Sequence, residues 1–183
     1  MMGETYELDM RMNFAVPAMP DRTGVEKQEI SQAARHIIKE SGVNRGVCVV
    51  YGFGSGELAY ELARQSDLVV FGFDDDRERV GKARKWLYGK GVYGTRVSVT
   101  HVEDMNQLPV TGNIANLLVS ESILTGKACP GSAVEMNRLL HPGGGVAILG
   151  SPPGAQQGVP EQGIADWLAA GEVKNTRLAG GEW

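Results

Sequence analysis

Through residues 1–25, apolar and polar positions follow no repeat, and Pro17, Pro20 and Gly24 interrupt any run, which predicts an irregular arm. From Glu26 to Glu40 the pattern changes. Ile30, Ala33, Ala34, Ile37 and Ile38 recur at helical spacing, with Lys, Gln and Arg between them, and Ser41-Gly42 is the stop signal. Short apolar runs then alternate with amphipathic ones. "GVCVVYG" (46–52) predicts a buried strand, "GELAYELARQ" (56–65) a helix, and "DLVVFGF" (67–73) a second buried strand. After Asp74, Asp75 and Asp76 a helix turns Val80, Ala83, Trp86 and Leu87 inward, its N-terminus capped by the acidic residues. "TRVSVTHV" (95–102) and "IANLLVS" (114–120) predict the third and fourth strands. "SAVEMNRLL" (132–140) predicts a short helix stopped at Pro142, and "GVAILG" (145–150) a fifth strand. "SPPGAQQGVP" predicts a loop, "EQGIADWLAAG" (161–171) a helix, and "EVKNTRLAGGEW" a final strand. Trp86, Tyr88 and Tyr93 are read as packing groups.

Strands and helices in alternation, with continuous apolar strands, predict an α/β sandwich: a mostly parallel sheet with helices on both faces. The expected organisation is a single Rossmann-like domain over 26–183, with its core at 46–150, preceded by the arm of 1–25. In such sheets ligands lie beyond the carboxyl ends of the strands. The residues just after each strand therefore carry the functional question.

Composition narrows the classes. The 183 residues suffice for one core, and 42% hydrophobic with 22% charged residues is ordinary for a globular domain. A net charge of −4 offers no positive field for nucleic acid or anionic membrane. No apolar stretch approaches the length of a membrane span, and the N-terminus lacks a signal-peptide core, so a membrane partner is not expected and the cytoplasm is the default location. Cys48 lies in an apolar run and Cys129 in a loop, which fits a reducing compartment. No two of the three histidines share metal-ligand spacing, so no metal is expected.

The chemistry begins at "VVYGFGSGELAYEL" (49–62). Three glycines, Gly52, Gly54 and Gly56, stand at alternate positions after a strand, where the backbone can approach a ligand closely. A dinucleotide loop needs a different spacing, with a third glycine where this chain has Glu57. A carboxylate in the first helical turn opposes a phosphate. Asp74 ends the second strand, 22 positions after Gly52, where a carboxylate can accept from vicinal ribose hydroxyls. In "VEDMNQLP" (102–109), Asp104 can accept from an exocyclic amine while Met105 packs on a purine; Glu103 is the alternative one position earlier. These three clues point to a nucleoside ligand without a diphosphate.

At these residues the chain resembles class I S-adenosylmethionine-dependent methyltransferases. "VVYGFGSG", "VVFGFD", "VEDMNQLP" and "LLHPGGGVAIL" are similar to that family's four ordered segments over roughly 28–150. The resemblance implies strand order 3-2-1-4-5 and S-adenosylmethionine as cofactor. It places Tyr51, Gly52, Gly54 and Gly56 around the methionine part, Asp74 and Asp75 at the ribose, and Asp104 with Met105 around adenine. Ser120 and Glu121 fall where the family lines the methyl-transfer site, and Glu121 is the candidate general base. "ESGVNRGVCVVYGFGSGELAYELAR", "GVYGTRVSV" and the closing "GGEW" further resemble methyltransferase-type domains joined to quinoprotein-like β-propellers in large planctomycete proteins, which implies a propeller partner in a longer parent chain.

Departures from the family pattern shape the alternatives. Val50 stands where the family has an acidic residue, "SESIL" replaces the motif of nucleic-acid amine methylators, and the chain is short for the family's final strand pair. The expected function is methyl transfer to an unidentified acceptor. The alternatives are a non-catalytic cofactor-binding or interaction module and, opposed by Glu57 in place of the third glycine, an NAD-dependent oxidoreductase.

Overall fold

The structure, a computed structural model, describes residues 24–150, 159–171 and 173. The arm of 1–25 falls almost wholly outside them, as do the loop at 151–158 and the strand expected near the C-terminus. The order of elements is α1 (Gly24–Ser41), β1 (Arg45–Tyr51), α2 (Glu57–Gln65), β2 (Asp67–Asp74), α3 (Arg77–Gly89), β3 (Val97–His101), β4 (Leu117–Val119), α4 (Glu121–Leu124), α5 (Ala133–Leu139), β5 (Val146–Ile148) and α6 (Glu161–Ala170). All but α4 were legible as periodic runs. That single turn is too short to show a helical period; its N-cap, Ser120, which accepts from the Ile123 N–H at 3.3 Å, was its one local sign.

Among the described residues five strands form one parallel sheet in the order β3-β2-β1-β4-β5. β1 lies at the centre, with Val47 opposite Val69 of β2 and Val49 opposite Leu118 of β4. Its side chains alternate between two apolar layers. Cys48 and Val50 join Ile30, Ala34 and Ile37 of α1, Leu58 and Leu62 of α2 and Leu87 of α3. Val49 and Tyr51 face Leu118, Met136 and Leu139 on the opposite side, where Trp167 and Leu168 of α6 pack from outside.

Burial is less even than a uniformly apolar strand suggests. β2 alternates, and Val69 and Phe71 are each 38% exposed. Val69 lies opposite Val47 of β1, and Phe71 lies between Val49 of β1 and Ser98 of β3. Trp86 and Tyr93 pack against the core, Trp86 edge-on to Tyr60 with ring centroids 5.3 Å apart. Tyr88 does not, being 65% exposed, because it follows the buried Leu87 by one residue and so turns about 100° away.

One glycine in a strand is explained by packing. Gly72 in β2 lies beneath the wholly buried Phe53 ring, which occupies the space a Cβ would need. Gly72→Ala is expected to destabilise the fold by about 1–3 kcal/mol, read from the urea midpoint. Adding Phe53→Leu should recover part of the loss; strict additivity would show that the two residues do not compete for that space.

Candidate functional site

Because every strand runs the same way, their carboxyl ends share one edge. The chain leaves β1 for β2 on one side and returns to β4 on the other, so a crevice opens between the loops that follow β1 and β4. The glycine loop and α4 therefore face each other although more than 60 residues separate them.

All three loop glycines have left-handed backbone: φ is 78° at Gly52, 64° at Gly54 and 87° at Gly56. The loop is tied to β2 by the Gly52 and Phe53 N–H groups, both donating to the Phe73 carbonyl at 3.1 Å. The close approach the glycines permit is made by the protein itself. A Cβ on Gly52 would lie 2.8 Å from Ser122 Oγ, one on Gly54 2.9 Å from the Glu121 carboxyl carbon, and one on Gly56 2.7 Å from the Phe53 ring.

Asp74 ends β2 and is 2% exposed. Its Oδ2 accepts from the Gly54 N–H at 3.0 Å; its Oδ1 accepts from the Asp76 N–H at 3.0 Å and from Arg79 Nη1 at 2.7 Å. Burial works against the Arg79 charge, but Asp74, Asp76 and Asp75 outweigh it and push its pKa up. Asp76 is the α3 N-cap, accepting from the Arg79 N–H at 2.9 Å, so the three acidic residues divide their work. Asp75 points to solvent, and its carbonyl meets His101 Nε2 at 3.2 Å.

Glu121, the first residue of α4, is wholly buried. Its Oε1 accepts from the Ser55 N–H at 2.8 Å and from the Ser55 hydroxyl; its Oε2 accepts from the Gly56 N–H at 3.1 Å and the Leu58 N–H at 3.2 Å. Ser120, 3% exposed, is engaged as the α4 cap.

The loop after β3 is held from beneath. Asp104 is exposed and closes a turn, accepting from the Asn106 N–H and Nδ2, both at 2.8 Å. Met105 points inward at 6% exposure, beside Tyr51, Phe73 and Val102. The Tyr51 hydroxyl donates to the Met105 carbonyl and accepts from the Ser132 N–H at 3.1 Å, which joins β1, this loop and the start of α5. Glu135 of α5 adds a second brace, accepting from the Leu108 N–H at 2.7 Å; Arg138 holds its carboxylate below the usual range despite burial.

A cavity of about 280 Å³ opens beside the glycine loop, lined among others by Gly54, Ser55, Glu57, Arg79, Glu121 and Lys127. Gly54 and Glu121 thus share it; Asp104 and Met105 do not line it. Neither Ser55 nor Arg79 is among the site residues expected from sequence. The i,i+3 spacing of Asp76 and Arg79 on a helix start was a legible sign for the arginine. Nothing local marked Ser55 as a partner of Glu121, 66 positions away.

The family model described as "Methyltransferase domain" matches residues 49–170, which carry the glycine loop, Asp74, Asp104 and Glu121. The chain belongs to the methyltransferase-domain family. This methyltransferase-family chain is similar in fold to a Methanococcus maripaludis protein assigned as an S-adenosyl-L-methionine-dependent methyltransferase, with TM-score 0.61 and 24% identity over 81% of this chain and 64% of that one. It is also similar to the [4+2]-cyclase SpnF, with TM-score 0.60 and 19% identity over 77% of this chain and 57% of that one. A SAM-dependent methyltransferase from Aquifex aeolicus gives TM-score 0.59 and 16% identity over 82% of this chain and 90% of that one. The chain thus spans less than two thirds of the first two, and at these identities the likeness is one of fold. No curated protein sequence matches the chain significantly.

The Tyr51 brace makes a measurable claim. Burial, with the Glu135 and Asp104 charges, pushes the Tyr51 pKa up to about 12 against the lowering contact with Ser132. The folded state therefore favours the neutral phenol. That stability is complete below the unfolded value of about 10 and is lost as pH rises through about 12. Tyr51→Phe should cost about 1–3 kcal/mol at neutral pH, since the Ser132 N–H and Met105 carbonyl lose their partner. Thermal melts of both proteins across the alkaline range check this: the gap between them should narrow as the phenol ionises.

Proposed function

We propose that this domain binds S-adenosylmethionine and transfers its methyl group to an acceptor. The observation that carries the reading is the meeting, at one sheet edge, of the glycine loop with the buried Asp74 carboxylate through the Gly54–Asp74 hydrogen bond. The donor set suits the cofactor. Asp74 Oδ2 takes one hydrogen bond, from Gly54, which leaves acceptor room for a ribose hydroxyl. Asp75 lies beside it, and the exposed Asp104 carboxylate is the acceptor proposed for the adenine amine. Gly52, Gly54 and Gly56 with Tyr51 beneath would border the methionine part, and Ser120 the transfer end. Met105, from below, would support the adenine loop more than touch the base.

When bound, the cofactor supplies an already activated sulfonium methyl group. The chain's task is then to orient the acceptor and exclude water. A base is needed only for a protonated acceptor. Glu121 is the residue read for that role, yet its four hydrogen bonds to the loop favour anchoring over proton transfer.

The resemblance to propeller-linked domains extends the proposal to the parent chain: one domain of a longer protein, with a β-propeller as partner in the same chain and the cytoplasm as default compartment. Among the described residues no helix is long and apolar enough to cross a membrane.

A second reading, a non-catalytic cofactor-binding or interaction module, is favoured by Val50, a wholly buried apolar residue at the family's acidic position. Calorimetric titration with S-adenosylmethionine, S-adenosylhomocysteine and NAD separates the readings. Micromolar binding of the adenosyl ligands, weakened at least about tenfold by Asp74→Ala, is expected. Binding without turnover across acceptor classes would favour the module. Tight NAD binding, or no binding at all, would overturn the methyltransferase reading.

A further inference from the structure

A strand–glycine loop–helix junction is an anion site by construction. The first N–H groups of the helix lack intrahelical acceptors, and the helix dipole adds positive potential. In this chain the donors of that junction point at one internal carboxylate. We propose that Glu121 is the resident anion of the glycine loop and its specificity-determining residue, taking the donors a phosphate would need so that the loop admits only ligands without one.

The geometry carries this. The two Glu121 oxygens share four donors, the Ser55 N–H and hydroxyl on one and the Gly56 and Leu58 N–H groups on the other. Both oxygens act there as acceptors, the role of an ionised carboxylate. The side chain is wholly buried, so water does not compete. Gly54 makes the seat possible, since a Cβ there would come within 2.9 Å of the Glu121 carboxylate. The seat is held from both ends: the Ser122 N–H donates to the Gly52 carbonyl at 3.1 Å, and Ser120 caps α4.

A phosphate could enter only by expelling Glu121 into a buried place without those donors, or by lying against it charge to charge. Glu57, the first residue of α2 and 7% exposed, adds a second acidic group at the same junction. S-adenosylmethionine carries no phosphate, and its sulfonium and ammonium charges outweigh its single carboxylate, so it is opposed far less; that choice of ligand rests on the function proposed above, whereas the exclusion stands on the hydrogen bonds alone.

The test is an anion-rescue experiment. Glu121→Ala opens a carboxylate-sized space in front of four donors. Its melting temperature should fall by on the order of 10 °C, and sodium formate, against sodium chloride at equal ionic strength, should restore much of the loss while leaving the wild type unmoved. Inorganic pyrophosphate, titrated by calorimetry, should bind Glu121→Ala and not the wild type. If the alanine variant is unfolded without additives, formate-dependent recovery of its circular dichroism is the same readout. Glu121→Gln fills the space but turns an amide N–H₂ towards N–H donors; it should melt well below the wild type and gain nothing from formate. The proposal is overturned if formate and pyrophosphate act equally on wild type and Glu121→Ala, if they act on neither, or if Glu121→Gln is as stable as the wild type. Each of these readouts is independent of S-adenosylmethionine, whose titration into the wild type separately decides the cofactor reading.

Discussion

β1 pairs in parallel with strands on both sides, and the rest of the molecule depends on that constraint. A central parallel strand cannot be satisfied by hairpins; its neighbours must be reached by long crossovers, through α2 into β2 and through the loop after β3 into β4, with α1, α2, α3, α5 and α6 packed around the sheet. Those helices bury the two faces of β1, and the crossover between β1 and β4 leaves their following loops side by side. The site is thus a product of strand order before it is a product of any side chain. Cys48, Val49, Val50 and Tyr51 are essentially unexposed because they are where both layers meet.

The loops at the sheet edge are then held by buried polar groups as well as by the apolar contacts of Phe53, Met105 and Leu108. Asp74 grips Gly54, Glu121 grips residues 55–58, Tyr51 grips Met105 and Ser132, and Glu135 grips Leu108. Each connects segments distant in sequence and satisfies backbone groups that would otherwise be buried without partners. Such braces are costly when half made, which makes the loops they hold rigid in one arrangement. A crevice whose walls are fixed in advance is the kind of site that orients a reactant without moving.

The same architecture serves unlike chemistry in the fold's neighbours, a methyltransferase and a cyclase among them. What distinguishes sites on one fold is the charge placed in the loops. In this chain the glycine loop carries its own carboxylate, seated where other strand–loop–helix junctions accept a ligand's anion. The glycines, which read in the sequence as room for a guest, hold room for Glu121, Ser122 and Phe53.

The periodicity of the chain alone determined its strands, its longer helices, their alternation and the parallel sheet, because each apolar run can be buried only in one layer of such a fold. The residues after β1, β2 and β3 were likewise legible, since sheet geometry puts every strand end on one edge. Tertiary structure decided what those residues hold. Asp74 could be recognised as a strand-end carboxylate, but its hold on Gly54 comes from the register of β1 on β2. Met105 could be seen as apolar beside Asp104, but only its packing against Tyr51, Phe73 and Val102 shows that it faces inward. Glu121 could be placed after β4, but its four donors belong to residues 55–58, brought to it by the pairing of β1 with β4. Local patterns fix which groups exist and which face they take; contacts between distant segments depend on strand order and register, which no local window contains.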